Sequence, residues 1–315
     1  MSDILTITLN PALDVSSSVD IVVPGPKLRC EEPRLDPGGG GVNVSRAVLR
    51  LGGQSHAFVA LGGETGAAYK SMLDAEQIPL DLFEVEGNTR QSFAIVESST
   101  KRQYRFQLPG PSWSADQTER MLRALAPHLT EGRFVALSGS MPAGVPAEIA
   151  ATINEIAASS GAKLILDTSG LALIAAAANR ATPFAMMRMD GEEATAVSGL
   201  NFATPAALAD YGQRLIKDGV AARLVMSVGS RGTVGVSASD RFFCQPPKIE
   251  TLSAVGAGDS MVAAIALEMS RGGSFRDAVR HGVAAAGSAV LTPATELCSK
   301  QTADEILERV VTLEV

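Results

Sequence analysis

Short, nearly continuous apolar runs alternate with helical patterns along most of the chain, and no other feature limits its possible folds so tightly. Ile4–Leu9, Ser55–Leu61, Phe134–Ser138, Lys163–Asp167, Phe184–Met187 and Arg223–Val228 read as strands. Most lack the polar alternation of a half-exposed strand, which marks burial on both faces. Helical patterns fall between them at Val42–Leu51, Ala67–Glu76, Asp116–Leu129, Ala147–Ser159, Glu192–Ser198 and Pro205–Asp218. Ser114 with Gln117, and Thr302 with Glu305, have capping-box spacing, and Thr204 before Pro205 suits an N-cap and first helical position. This pattern predicts an α/β fold with a doubly wound, mainly parallel sheet.

Two stretches interrupt the rhythm. Val15–Leu35 is polar, holds Pro24 and Pro26 and has no helical period, while Ser92–Glu97 and Gln103–Gln107 flank a polar turn at Ser98–Arg102 and read as a hairpin. They fit either surface insertions or a small β lid over a site at the strand ends. No repeat, low-complexity tract or linker divides residues 1–315, so one domain is expected.

Composition removes several function classes. A formal net charge of −7 argues against an extended nucleic-acid footprint, which needs a basic face. The three cysteines, Cys30, Cys244 and Cys298, are far apart and imply no disulfide framework. The N-terminus reads as a first strand rather than a secretory signal, and no apolar run reaches the roughly 18–20 residues of a membrane span. A cytoplasmic protein without membrane partners is expected. His56, His128 and His281 are scattered, no closely spaced Cys or His pair suggests zinc, and no G-x-S-x-G elbow suggests a serine hydrolase.

Two glycine-rich segments carry the chemistry. Val255-Gly256-Ala257-Gly258-Asp259-Ser260 opens a long apolar pattern. Small residues there let the first amides of a helix approach an anion, and Asp259 in the first turn is placed to accept a proton beside it. The bland alternative is a glycine-rich connection with an acid at a helix start. Gly38-Gly39-Gly40-Gly41 precedes Val42-Asn43, so either backbone must come close to something or the loop is merely flexible. Asn43 can both donate to and accept from sugar hydroxyls. Neither segment matches a P-loop or a dinucleotide fingerprint.

Together these segments resemble the ribokinase-like (PfkB) family of carbohydrate kinases, over essentially the whole chain. The resemblance is carried by Thr8–Asp14 (TLNPALD), Gly38–Gly53 (GGGGVNVSRAVLRLGG) and Val255–Ser260 (VGAGDS). Lys27–Cys30, Thr89–Gln91, Gln103–Phe106, Leu137–Val145 and Leu297–Ser299 narrow it to the phosphosugar kinases. It implies a ribokinase-like fold of the nine-stranded type. The lid would be made by segments near 15–36 and 91–108 and would pair between subunits in a homodimer. It implies ATP-dependent phosphorylation of a ketohexose phosphate, first fructose 6-phosphate, with fructose 1-phosphate or tagatose 6-phosphate as alternatives. A non-catalytic sugar-phosphate sensor is the rival from another class.

By the same resemblance Asp259 is the base and Gly256, Ala257 and Gly258 form the anion hole. Asp14, Gly39, Gly40 and Asn43 bind sugar. Arg90 binds the substrate phosphate, with Lys27, Arg29, Arg105, Ser138 and Ser140 in support. Ser227, Gly229 and Gly232 border the nucleotide, and the implied cofactors are ATP, Mg²⁺ and K⁺. The family's Lys-Pro-Asn-x-x-Glu stretch reads Arg188-Met189-Asp190-Gly191-Glu192-Glu193 here, so Arg188 and Asp190 face the nucleotide and Glu193 with Asp190 holds Mg²⁺, directly or through water. Ser253-Ala254 replaces the usual Asp-Thr, and Thr292, Ala294 and Glu296 differ from residues that often shape the cation and adenine region.

Overall fold

In the computed structural model, which describes residues 4–293 and 296–315, the apolar runs become strands and the periodic segments helices. The strands are β1 (Ile4–Thr8), β2 (Ala12–Val19), β3 (Arg34–Gly38), β4 (Ser55–Leu61), β5 (Leu80–Glu84), β6 (Arg90–Glu97) and β7 (Arg102–Gln107). They continue with β8 (Phe134–Ser138), β9 (Lys163–Asp167), β10 (Met186–Asp190), β11 (Arg223–Ser227), β12 (Thr233–Ser237), β13 (Arg241–Gln245) and β14 (Val311–Glu314). The helices are α1 (Gly40–Arg50), α2 (Gly63–Ala75), α3 (Ala115–Leu125), α4 (Ile149–Ser159) and α5 (Gly170–Ala178). Then come α6 (Gly191–Ser198), α7 (Pro205–Lys217), α8 (Ala257–Ser270), α9 (Phe275–Ala289) and α10 (Lys300–Leu307).

Ten strands form one sheet in the order β14-β13-β12-β11-β10-β9-β8-β1-β4-β5, one more than the nine-stranded type implies. From β11 to β5 every pairing is parallel, and β12, β13 and β14 add an antiparallel edge. Buried side chains divide between the two faces. Leu5 and Ile7 pack with Met121 of α3, Ile153 of α4 and Leu208 of α7. Ile4, Ala136 and Ile165 pack with Val44 of α1, Val262 of α8 and Val279 of α9. Burial on both faces is why these strands read as unbroken apolar runs.

A second sheet, ordered β3-β2-β6-β7, forms the expected lid. Val15–Leu35 is therefore not wholly irregular, because its two ends belong to β2 and β3. Serines separate Val15 from Val19, and Arg34 and Asp36 flank Leu35, so neither end shows a continuous apolar signal. The strand expected at Phe184–Met187 is displaced: Phe184 makes an isolated bridge to Ala221, and β10 runs on to Asp190. Arg188 and Asp190 flank the buried Met189 there, so the apolar run ends before the strand does. The start expected at Thr302 lies three residues earlier, since Ser299 caps α10 and Thr302 donates its amide to Ser299 Oγ. Ser114 caps α3 by accepting from the Gln117 amide.

Candidate active site

Between β8 and β4, β1 marks the point where the strand order reverses, and crevices at such points bind ligands in open α/β sheets. The glycine segment is pressed into this crevice. A Cβ on Gly40 would run into Ser138 Oγ at the end of β8, and one on Gly41 would lie 2.5 Å from the Ile7 carbonyl oxygen. At Gly39 the backbone has φ 133°, and a Cβ would overlap the Asp14 carboxylate at Gly38. Close approach, not flexibility, accounts for the run. It brings the first turn of α1, with Asn43, against the strand ends.

Gly256 enters α8 in the left-handed region, with φ 76°, and aims the helix N-terminus at the same crevice. Asn43 Nδ2 donates to Asp259 Oδ2 at 3.0 Å, and Ser138 Oγ lies 3.5 Å from Asp259 Oδ1. The two glycine segments, far apart in sequence, thus meet at one carboxylate. Asp259 is still reachable from the cleft, yet protein crowds it closely. This burial pushes its pKa up to about 7, Asp167 adds to the rise, and Asn43, Arg188 and Ser138 oppose it. The first-turn amides of α8 stand beside it at the helix N-terminus, a setting that suits a phosphate.

Asp167, at the end of β9, was not signalled by any motif. It accepts from Ser138 Oγ at 2.8 Å and from Arg188 Nη1 at 3.1 Å, linking three strand ends. Arg188 is largely buried, and a Cβ on Gly258 would lie 3.2 Å from its guanidinium atoms, so its charge sits against the α8 entry turn. Burial works against that charge, but Asp167 and Glu193 outweigh it and hold the pKa above the ordinary arginine value. Arg188 Nε is buried with no hydrogen-bond partner among the described residues. A free donor beside a helix N-terminus fits an anionic nucleotide phosphate.

Asp190 and Glu193 form a reciprocal capping box on α6: Asp190 Oδ1 accepts from the Glu193 amide at 2.9 Å, and Glu193 Oε2 accepts from the Asp190 amide at 2.7 Å. Burial raises the Glu193 pKa. One oxygen of each carboxylate is thereby committed, and the described residues hold no group of three or more acids, histidines or cysteines able to cage a metal. Their hard oxygens fit Mg²⁺ shared with water and substrate phosphates, the usual mode for this ion. Ser227 pairs in register with Asp190, and Gly229 and Gly232 shape the next turn with φ 57° and 136°. Ala294 lies outside the described residues; Thr292 bonds to the Glu296 carbonyl, and Glu296 pairs with Arg34 of β3.

The lid brings the sugar-binding candidates to its inner face. Ala12 pairs with Gly38 and Arg90, Asp14 with Asp36 and Ser92, and Ala94 with Arg105. Asp14, Arg90 and Arg105 therefore share one face. Burial pushes the Asp14 pKa up to about 6, against the pull of Arg90 and Arg105 and with help from Asp36. Arg90 donates to the Asn10 carbonyl, and Asn10 Nδ2 donates to Ser140 Oγ at 3.0 Å, so Arg90, Asn10 and Ser140 cluster at the crevice rim. Lys27 and Arg29 are exposed on the β2–β3 connection.

A family model described as pfkB family carbohydrate kinase matches residues 7–302. The chain belongs to the pfkB family of carbohydrate kinases. It is 39% identical over 307 residues to ATP-dependent 6-phosphofructokinase isozyme 2 of Mycobacterium tuberculosis, covering 97% of this chain and 89% of that one. The crystal structure of Escherichia coli phosphofructokinase-2 with potassium superposes with a TM-score of 0.93 at 34% identity, covering 98% and 99% of the two chains. The same enzyme with fructose-6-phosphate gives 0.90 at 33% identity and the same coverage. This pfkB-family kinase therefore has the ribokinase-like fold that its glycine signatures implied.

Proposed function

We propose that the protein transfers the γ-phosphoryl group of ATP to the free primary hydroxyl of fructose 6-phosphate, giving fructose 1,6-bisphosphate and ADP. The observation that carries this reading is the meeting of Asp259, Asn43 and the α8 amides at the strand-order reversal. A hydroxyl held by Asn43 and Asp14 loses its proton to Asp259 as its oxygen bonds to the γ-phosphorus and the bond to ADP breaks. The Gly258 and Asp259 amides and the Arg188 guanidinium face the charge on the transferred group. Mg²⁺, when bound with the nucleotide near Glu193 and Asp190, neutralises phosphate charge. Arg90 and Arg105 grip the phosphate already on the sugar.

The relative with bound fructose-6-phosphate supports this choice of substrate, and the structure with potassium supports K⁺ as an accessory ion. No helix among the described residues is long and apolar enough to cross a membrane, in keeping with a cytoplasmic enzyme. Leu35 of β3 and Phe106 of β7, both exposed on the lid, support a homodimer formed through it. An ADP-release assay over fructose 6-phosphate, fructose 1-phosphate and tagatose 6-phosphate, with and without potassium, tests the reading. Fastest turnover is expected on fructose 6-phosphate. Equal rates on unphosphorylated sugars would remove the phosphosugar assignment, and sugar-phosphate binding without MgATP binding would leave a sensor.

A further inference from the structure

We infer that Thr65 and Tyr69 are positioning residues that hold the phosphosugar half of the site from outside it; the inference rests on the kinase reading above. Both lie on α2 at a four-residue spacing, which puts them on one helix face. Tyr69 is fully buried, and its Oη donates to the Gly38 carbonyl at 2.9 Å. Thr65 Oγ1 donates to the Thr89 carbonyl at 2.6 Å. Thr89 is buried as well, accepting from the Gly62 amide at 3.0 Å and donating its own amide to the Gly62 carbonyl at 2.8 Å.

The two contacts land on the roots of different lid strands. Gly38 ends β3 and opens the glycine turn, while Thr89 immediately precedes Arg90 at the start of β6. Gly38 and Arg90 both pair in register with Ala12, so one helix face clamps both ends of a single row of the lid. That row carries the candidate phosphate cation. Beside it lies Asp14, whose carboxylate occupies the space that a side chain at Gly38 would need. A shift at either root therefore moves Arg90 and Asp14 relative to the glycine turn. The nucleotide side, built on β9, β10 and α8, has no part in these bonds.

The test uses Tyr69→Phe and Thr65→Val, which keep shape and remove one hydrogen bond each. In the full chain, each is expected to raise the KM for fructose 6-phosphate, and its calorimetric Kd, about fivefold, the scale of one lost buried hydrogen bond. The KM for MgATP stays unchanged. A purely structural role would lower Tm and leave the sugar KM at the wild-type value; that result, or an equal rise in both KM values, overturns the inference. Thr65 is only half-buried, so Thr65→Val carries the test if Tyr69→Phe fails to fold. Wild-type protein that neither binds nor turns over any ketohexose phosphate refutes the functional reading and this inference with it. Normal wild-type turnover beside variants with unchanged sugar KM refutes the inference alone.

Discussion

On the proposed mechanism, Asp259 concentrates the chemistry in one group whose ionisation costs the fold. Its carboxyl titrates near 7 in the folded protein, above the ordinary aspartate value of 3.8. The folded state thus binds more protons than the unfolded one between these values, and stability falls as pH rises through that window. Asp259→Asn removes the penalty. Its Tm should exceed that of wild type at pH 8, with the gain vanishing near pH 4, while kcat drops by about 10²–10⁴-fold, the usual range for a lost general base. In wild type, kcat/KM should rise with pH on an apparent pKa near 7. Near-normal turnover by Asp259→Asn would remove the base assignment, and a pH-independent Tm difference would remove the raised pKa. Asp259, Asn43 and the four glycines were legible because strained or closely packed backbone leaves glycine in the sequence. Asp167 was not: a lone aspartate ending an apolar strand looks like any strand terminus, and its contacts to Ser138 and Arg188 come from strands that are neighbours only in space.

Among the elements, α6 shows how a departure from the family pattern can be explained by local structure. Aspartate and asparagine both cap helices well, and Asp190 completes a reciprocal box with Glu193. Asp190→Ala should therefore cost about 1 kcal/mol in urea unfolding, whereas Asp190→Asn should stay near wild type. If both lose equally, the cap contributes nothing. The box was not read from the sequence because the resemblance assigned Asp190 and Glu193 to the nucleotide and Mg²⁺, not to a helix start. At α10 the opposite error arose: Thr302 and Glu305 have box spacing, but Ser299 three residues earlier wins the N-cap. Spacing alone cannot choose between two hydroxyls one turn apart. The hairpin of β6 and β7 was legible from the polar turn between its two runs, whereas the short antiparallel strands β12, β13 and β14 gave no distinct period over so few residues.

At the scale of the molecule, the layer architecture followed from the alternating pattern, but the order of the strands did not, because β1 pairs with β8 across more than a hundred intervening residues. Register also creates a surface that no local window contains. Val15 pairs with Leu35 and Phe93, and Phe93 with Phe106, making an apolar row across all four lid strands on the face opposite Asp14 and Arg90. Leu35 and Phe106 are 44% and 55% exposed, so the row ends in open solvent within one chain. Covering it with a second copy would bury those side chains, and one large side chain withdrawn from water contributes about 2 kcal/mol. Phe106→Glu removes that gain, weakening a lid-to-lid dimer at least about thirtyfold, and it also places a charge in an apolar contact. Sedimentation equilibrium should therefore find wild type dimeric and Phe106→Glu monomeric at the same micromolar concentration, with matching far-UV circular dichroism. A wild-type monomer, or a variant that remains equally dimeric, would show that the row is not the contact between subunits.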